Sequence, residues 1–211
     1  MFGAACSVTS PAGQTRGAFG AAGSVEGRGT VADARLPRFV PLAPVMRADV
    51  ELLTGHPDSA GRPFVMRIHE LAGTVIPAHR HPVDEHLTVV RGRIRFGTGA
   101  AFDSAALREL GPGDYAFLPA GTVMFGVIDD DAVVQVHGTG PFHIHWLDGL
   151  VVLGEAGSAT TFTFRKGELV ETARGPGVIL EGYASGALVQ YVVQRADSTR
   201  YMAHQAELRR R

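Results

Sequence analysis

One cysteine and one tryptophan are present among 211 residues. The lone Cys6 excludes an intramolecular disulfide, which fits a reducing compartment. Charge of neither sign is in excess: 20 Lys and Arg stand against 21 Asp and Glu, a formal net charge of -1. Such a balance exerts no global pull toward nucleic acid or an anionic membrane. No apolar run approaches the roughly 18 residues that span a bilayer. The start lacks the basic-then-apolar order of a secretory signal, because Arg16 and Arg28 follow its small residues rather than precede them. These absences leave a soluble cytoplasmic protein as the expectation.

What is present falls into three stretches. Residues 1–35 are rich in Gly, Ala and Ser, bury too little apolar surface to offset ordering entropy, and are expected to be mobile. Residues 36–155 begin with a proline-punctuated, extended lead-in and continue as short segments of period-two alternation separated by Gly/Pro turns. In Phe64-Val-Met-Arg-Ile-His-Glu-Leu, the residues Phe64, Met66 and Ile68 are expected inward and Arg67 and His69 outward. Residues 160–211 form a further β unit of four short strands, the first beginning at Thr161.

The chemistry concentrates in Gly73-Thr-Val-Ile-Pro-Ala-His79-Arg-His81-Pro-Val-Asp-Glu85 and its continuation to Gly92. On a strand, residues two apart share a face, so His79 and His81 can converge on one point. A turn at Pro82-Val83-Asp84 followed by a returning strand brings Glu85 back toward it. Two imidazoles and a carboxylate suit a divalent transition metal.

This run, with Gly113-Asp-Tyr-Ala-Phe-Leu-Pro119-Ala-Gly121-Thr-Val-Met124, resembles the two signature motifs of the cupin superfamily. Gly73, His79, His81, Glu85 and Gly92 match every defined position of the first motif; Gly113, Pro119 and Gly121 match the second. The second motif's usual histidine is Met124 here and its asparagine is Ile128. The resemblance implies an all-β fold, a cupin double-stranded β-helix or jelly-roll barrel. It also implies His79, His81 and Glu85 as metal ligands and a homodimer. Without the fourth ligand, the remaining set suits Fe2+ with open positions, and Mn2+, Ni2+, Co2+ or Zn2+ also fit. A thioether ligates soft ions, but Met124 reads better as packing.

Other candidates flank this set. Val133, Gln135 and His137 share one strand face; His137 is the candidate replacement ligand or acid/base, and Gln135 a hydrogen-bonding partner of bound water or substrate. Tyr115 and Phe117 are candidate pocket walls. In Phe142-His-Ile-His-Trp146 the aromatic and aliphatic residues read as the buried face, with His143 and His145 outward. His86 reads as structural. Asp103 is expected to cap a helical stretch over 105–110, a connector or a lid.

The C-terminal stretch resembles a small SH3-like β-barrel. Its eight Lys or Arg against five Asp or Glu give a net +3, without the aromatic row that single-stranded nucleic acid would need. Two functions are thus open. One is a metal-dependent enzyme on a small organic substrate, oxygenase-type (dioxygenase-like) or a lyase/isomerase. The other is a non-catalytic small-ligand sensor whose C-terminal unit makes protein contacts.

Overall fold

The computed structural model describes residues 38–40, 49–155, 158 and 161–211. The stretch 1–35, with Cys6, Arg16 and Arg28, lies outside the described residues, as do 36–37 and 41–48 of the lead-in. The described residues are strands and turns with two single-turn 3-10 helices, and no helix among them is long and apolar enough to cross a membrane.

The strands in chain order are β1 (Arg38–Val40), β2 (Asp49–Thr54), β3 (Pro63–Glu70), β4 (Val75–Arg80), β5 (Glu85–Arg91), β6 (Ile94–Thr98), β7 (Arg108–Leu110), β8 (Tyr115–Leu118), β9 (Met124–Ile128), β10 (Ala132–Thr139), β11 (His145–Trp146), β12 (Val151–Val152), β13 (Leu169–Thr172), β14 (Gly175–Ser185), β15 (Leu188–Gln194), β16 (Arg200–His204) and β17 (Arg209–Arg210). The first eleven form two antiparallel sheets, ordered β1-β2-β3-β10-β5-β8 and β11-β4-β9-β6-β7. Consecutive strands alternate between the sheets from β3 to β6, the winding of a double-stranded β-helix. Phe64 and Met66 of β3, Leu87 and Val89 of β5, and Val134 and Val136 of β10 meet Ile94 and Ile128 of the opposing sheet in one core.

Two motif glycines have identifiable causes. Gly73 sits at φ +88°, where a Cβ would lie 2.5 Å from the Met202 carbonyl oxygen; Gly92 sits at φ +79°, where it would lie 2.7 Å from that of Asp131. Both combine a left-handed backbone with close approach, which only glycine tolerates.

The helical stretch expected after Asp103 is shorter than the pattern suggested. Asp103 does cap, accepting from the Ala105 N–H at 2.9 Å. The helix ends after Ser104–Ala106, because Arg108–Leu110 pairs with β6. Sheet pairing outcompetes a marginal helix of this length.

The C-terminal strands form a third antiparallel sheet, β16-β15-β14-β13-β17, with β12 also on β14. Its first strand is Leu169–Thr172; Thr161–Phe164, expected as a strand, is turn and loop whose Phe164 packs against Tyr191. Barrel and third sheet lie in one compact unit. Leu71 and Trp146 of the barrel side pack with Tyr183, Val192 and Met202. The side-chain amide of buried Gln190 accepts from the Val75 N–H and donates to the Val75 carbonyl, each at 2.8 Å, and so pairs with β4 as a strand would.

Candidate metal and ligand site

The two histidines face the barrel interior because β4 changes phase. Ile76 lines the cavity, and simple alternation would then bring Ala78 and Arg80 inward. The register against β9 slips between Ile76 and His79, a bulge next to Pro77, whose missing N–H suits such an irregularity. Beyond it His79 and His81 line the cavity instead. The turn at 82–84 returns the chain, with Asp84 Oδ1 accepting from the Ala120 N–H at 2.8 Å, and β5 opens on inward Glu85. All three side chains are buried.

Hydrogen bonding fixes both ring orientations. His79 Nδ1 lies 2.8 Å from the Pro77 carbonyl oxygen, and His81 Nδ1 lies 2.8 Å from that of His143. A carbonyl oxygen only accepts, so each Nδ1 carries the proton and donates it. Each Nε2 is left with a free lone pair, the form in which imidazole ligates a metal.

Glu85 completes the group. Its Oε2 is buried without a hydrogen-bond partner and lies 3.5 Å from His81 Nε2. The separation would suit an ion pair, but burial opposes charge on both. It pushes Glu85 up to about 8. Burial, then the neighbouring His79, lowers His81 to about 3, against the opposing bond to the His143 carbonyl. His79 is also lowered, by burial. At neutral pH the contact therefore joins an acid and a base that are both uncharged, and an unpartnered carboxyl oxygen of this kind costs about 1–3 kcal/mol. A divalent cation would relieve that cost. The donors do not form a closed cage: among the described residues no three His, Cys, Asp or Glu side chains make a ready metal-holding group, and the rings of His79 and His81 meet edge-on with centres 5.1 Å apart.

An aromatic frame holds the rings. Phe142 stacks on His81 at 3.9 Å and 15°, and Trp146 packs on His79 at 5.0 Å. Met124, opposite His79 in the β4–β9 register, is buried against Phe96 and Leu118 and forms part of the same wall. The cavity volume is about 80 Å³, room for a few waters or a very small ligand and below the size of drug-sized sites.

His137, Gln135 and Tyr115 lie elsewhere. On β10 the cavity-lining residues are Val134 and Val136, so Gln135 and His137 point to the outer face of the sheet. His137 stacks on His86 at 4.6 Å, and His86 Nδ1 is 2.6 Å from the Tyr115 hydroxyl. Tyr115 and Phe117 are exposed on that face. The shared face of Val133, Gln135 and His137 was readable, but which face it is depends on strand pairing. The expectation that these residues serve the metal trio is corrected: the barrel wall separates them from it.

Sequence reasoning did not reach the His143 carbonyl, since a backbone acceptor leaves no mark in side-chain pattern. Nor did it reach Glu70, which also lines the cavity; continuing the alternation of Phe64, Met66 and Ile68 by one step would have found it.

No protein-family model matches the chain, and no curated protein does. Among solved structures, the chain is similar to KdgF from a Halomonas species at 18% identity, covering 54% of this chain and 96% of that one with a TM-score of 0.42. The polyketide cyclase RemF from Streptomyces resistomycificus is 16% identical over 64% of this chain and 95% of its own, at 0.47. The DMSP lyase DddQ from Ruegeria pomeroyi is 21% identical over 54% of this chain and 57% of its own, at 0.41. Likenesses at this level say nothing about the reaction of this chain.

Proposed function

We propose that this cupin barrel is a metal-dependent enzyme acting on a small organic molecule in the cavity beside His79, His81 and Glu85. The observation that carries the reading is the pair of Nδ1–H donations to backbone carbonyls, which leave both Nε2 lone pairs free, that of His81 3.5 Å from the unpartnered Oε2 of Glu85. These three residues would hold a divalent transition metal, Fe2+ by preference for an open three-donor set, with Mn2+, Ni2+, Co2+ or Zn2+ as alternatives. Such an ion supplies Lewis acidity, or with iron a platform for oxygenase-type chemistry.

The chain's own residues supply the rest. Phe142 and Trp146 hold the rings against rotation and exclude water from their faces. The apolar wall of Leu87, Met124 and Val136 favours an organic substrate and strengthens every electrostatic interaction inside it. Glu85 keeps its proton to about 8, so it either releases that proton on metal loading or acts as a proton donor to a ligand beside His81. The second reading, a ligand-binding sensor, is favoured by Met124, which offers packing where a fourth nitrogen donor would strengthen the set. The SH3-like likeness of the third sheet and its use for protein contacts belong to this reading, and the outer-face surface at Tyr115 and Phe117 is what a homodimer would cover. The test is the metal content of purified protein, followed by oxygen consumption with candidate substrates. One metal per chain with turnover supports the enzyme; one metal per chain with ligand binding but no turnover supports the sensor.

A further inference from the structure

A second pocket lies across β4 from the metal trio. His79 and His81 line the inner cavity, whereas Pro77 and Ala78 line this one, and the two share no lining residue. It sits where the barrel meets the third sheet, between the loop after β6, the turn after β11 and the β14–β15 hairpin. Its volume is about 390 Å³, within the range of small-molecule sites, which favour such junctions. Phe102 from the first of these loops and Leu147 from the second both line it and both stand exposed. Scattered exposed apolar side chains are ordinary, but two of this size facing one cleft mark a place where an apolar body binds.

The polar groups gather at one corner. Asp148 is the sole carboxylate among the described lining residues, and no Lys or Arg joins it there. The Asp148 carboxylate has no ion pair or hydrogen bond among the described residues. Its Oδ2 lies 3.2 Å from where a Cβ on Gly186 would sit, so the charge is placed against the hairpin turn that follows Ser185. Ser185 lines the same pocket, is buried, and has an Oγ without a hydrogen-bond partner. Alanine would pack there without desolvating a hydroxyl. An apolar wall with one unneutralised anion and one unmet hydroxyl complements a small cation with an apolar body.

We infer that this pocket is a second ligand site, separate from the metal cavity, for a small organic ammonium ion with an aromatic or aliphatic body. The ammonium group meets the Asp148 carboxylate and supplies the donor that Ser185 Oγ lacks. The apolar body lies along Pro77, Ala78 and Leu147 and meets the Phe102 ring. A carboxylate ligand of the same shape is repelled by Asp148.

The experiment titrates phenethylamine, 2-phenylethanol and phenylacetate into the full chain by calorimetry, as wild type, Asp148→Asn and Ala101→Trp. The pH is 8, where an alkyl amine is still protonated. Wild type is expected to bind the amine about fivefold more tightly than the neutral alcohol, the worth of one solvent-facing charge pair. Phenylacetate is expected to bind more weakly than either. Asp148→Asn changes an exposed position and is expected to fold normally and to remove the preference for the amine. Ala101→Trp sets an indole on the exposed flank of the pocket. It is expected to weaken amine and alcohol alike by about tenfold, since both lose the same apolar contact. No binding by folded wild type, equal affinities for amine and alcohol, a preference that survives Asp148→Asn, or affinities untouched by Ala101→Trp would overturn the inference.

Discussion

At the scale of single residues, the cavity is a set of groups held in their uncharged forms. Glu70 and Glu85 keep their protons to about 7 and about 8, against 4.5 for a free side chain. Their folded values are raised, so their contribution is fully present below the unfolded value and is lost as pH rises through the folded ones. Above 6.5, the ordinary histidine value, His79 and His81 are neutral folded or unfolded, and only the carboxyls act. Metal-free protein is therefore expected to melt at steadily lower temperature from about pH 6.5 to about pH 8. Depressed His81 acts in the opposite sense, and below 4.5 stability is expected to fall again toward about 3. Scanning calorimetry across pH checks both limbs; a melting temperature flat between pH 6.5 and 8 would contradict them. Glu85→Gln, nearly isosteric, is expected to flatten the upper limb and to weaken metal binding by more than the 10–100-fold typical of an outer hydrogen-bond partner, as measured by competition with a chelator. Phe142→Ala removes the ring stacked on His81 and is expected to cost about 3–5 kcal/mol in denaturant unfolding.

At the scale of elements, what was legible followed from period and motif, and what was not depended on pairing. The trio and its turn were readable because His79, His81 and Glu85 are bracketed by Gly73 and Gly92, whose left-handed backbones and close contacts exclude a Cβ. The reason His79 faces inward was hidden, because the slip between Ile76 and His79 arises from register against β9. The same blindness placed His137 and Gln135 on the wrong face: alternation groups residues but does not say which group is inside. The stretch 105–110 read as a helix until β6 claimed Arg108–Leu110. Gln190, distant in sequence from Val75, gave no signal at all. Gln190→Leu leaves the Val75 N–H and carbonyl without their partners and is expected to destabilise the protein by about 2–4 kcal/mol. Hydrogen exchange at the Val75 amide should accelerate in that variant; unchanged protection would mean the amide pairing holds nothing.

At the scale of the whole molecule, the third sheet is braced against the barrel through Leu71, Trp146 and Met202, and Trp146 in turn packs on His79. A disturbance at this junction is thus expected to reach the site. Gly73→Ala, which sets a methyl against the Met202 carbonyl, is expected to lower both the melting temperature and metal affinity. Loss of stability with unaltered metal affinity would show the junction to be a scaffold alone. The account stands most directly on the metal content of the purified chain by elemental analysis, compared with His81→Ala. It expects one divalent transition metal per folded wild-type chain and none in the variant; folded wild type that takes up no metal, or His81→Ala that retains it in full, would contradict it.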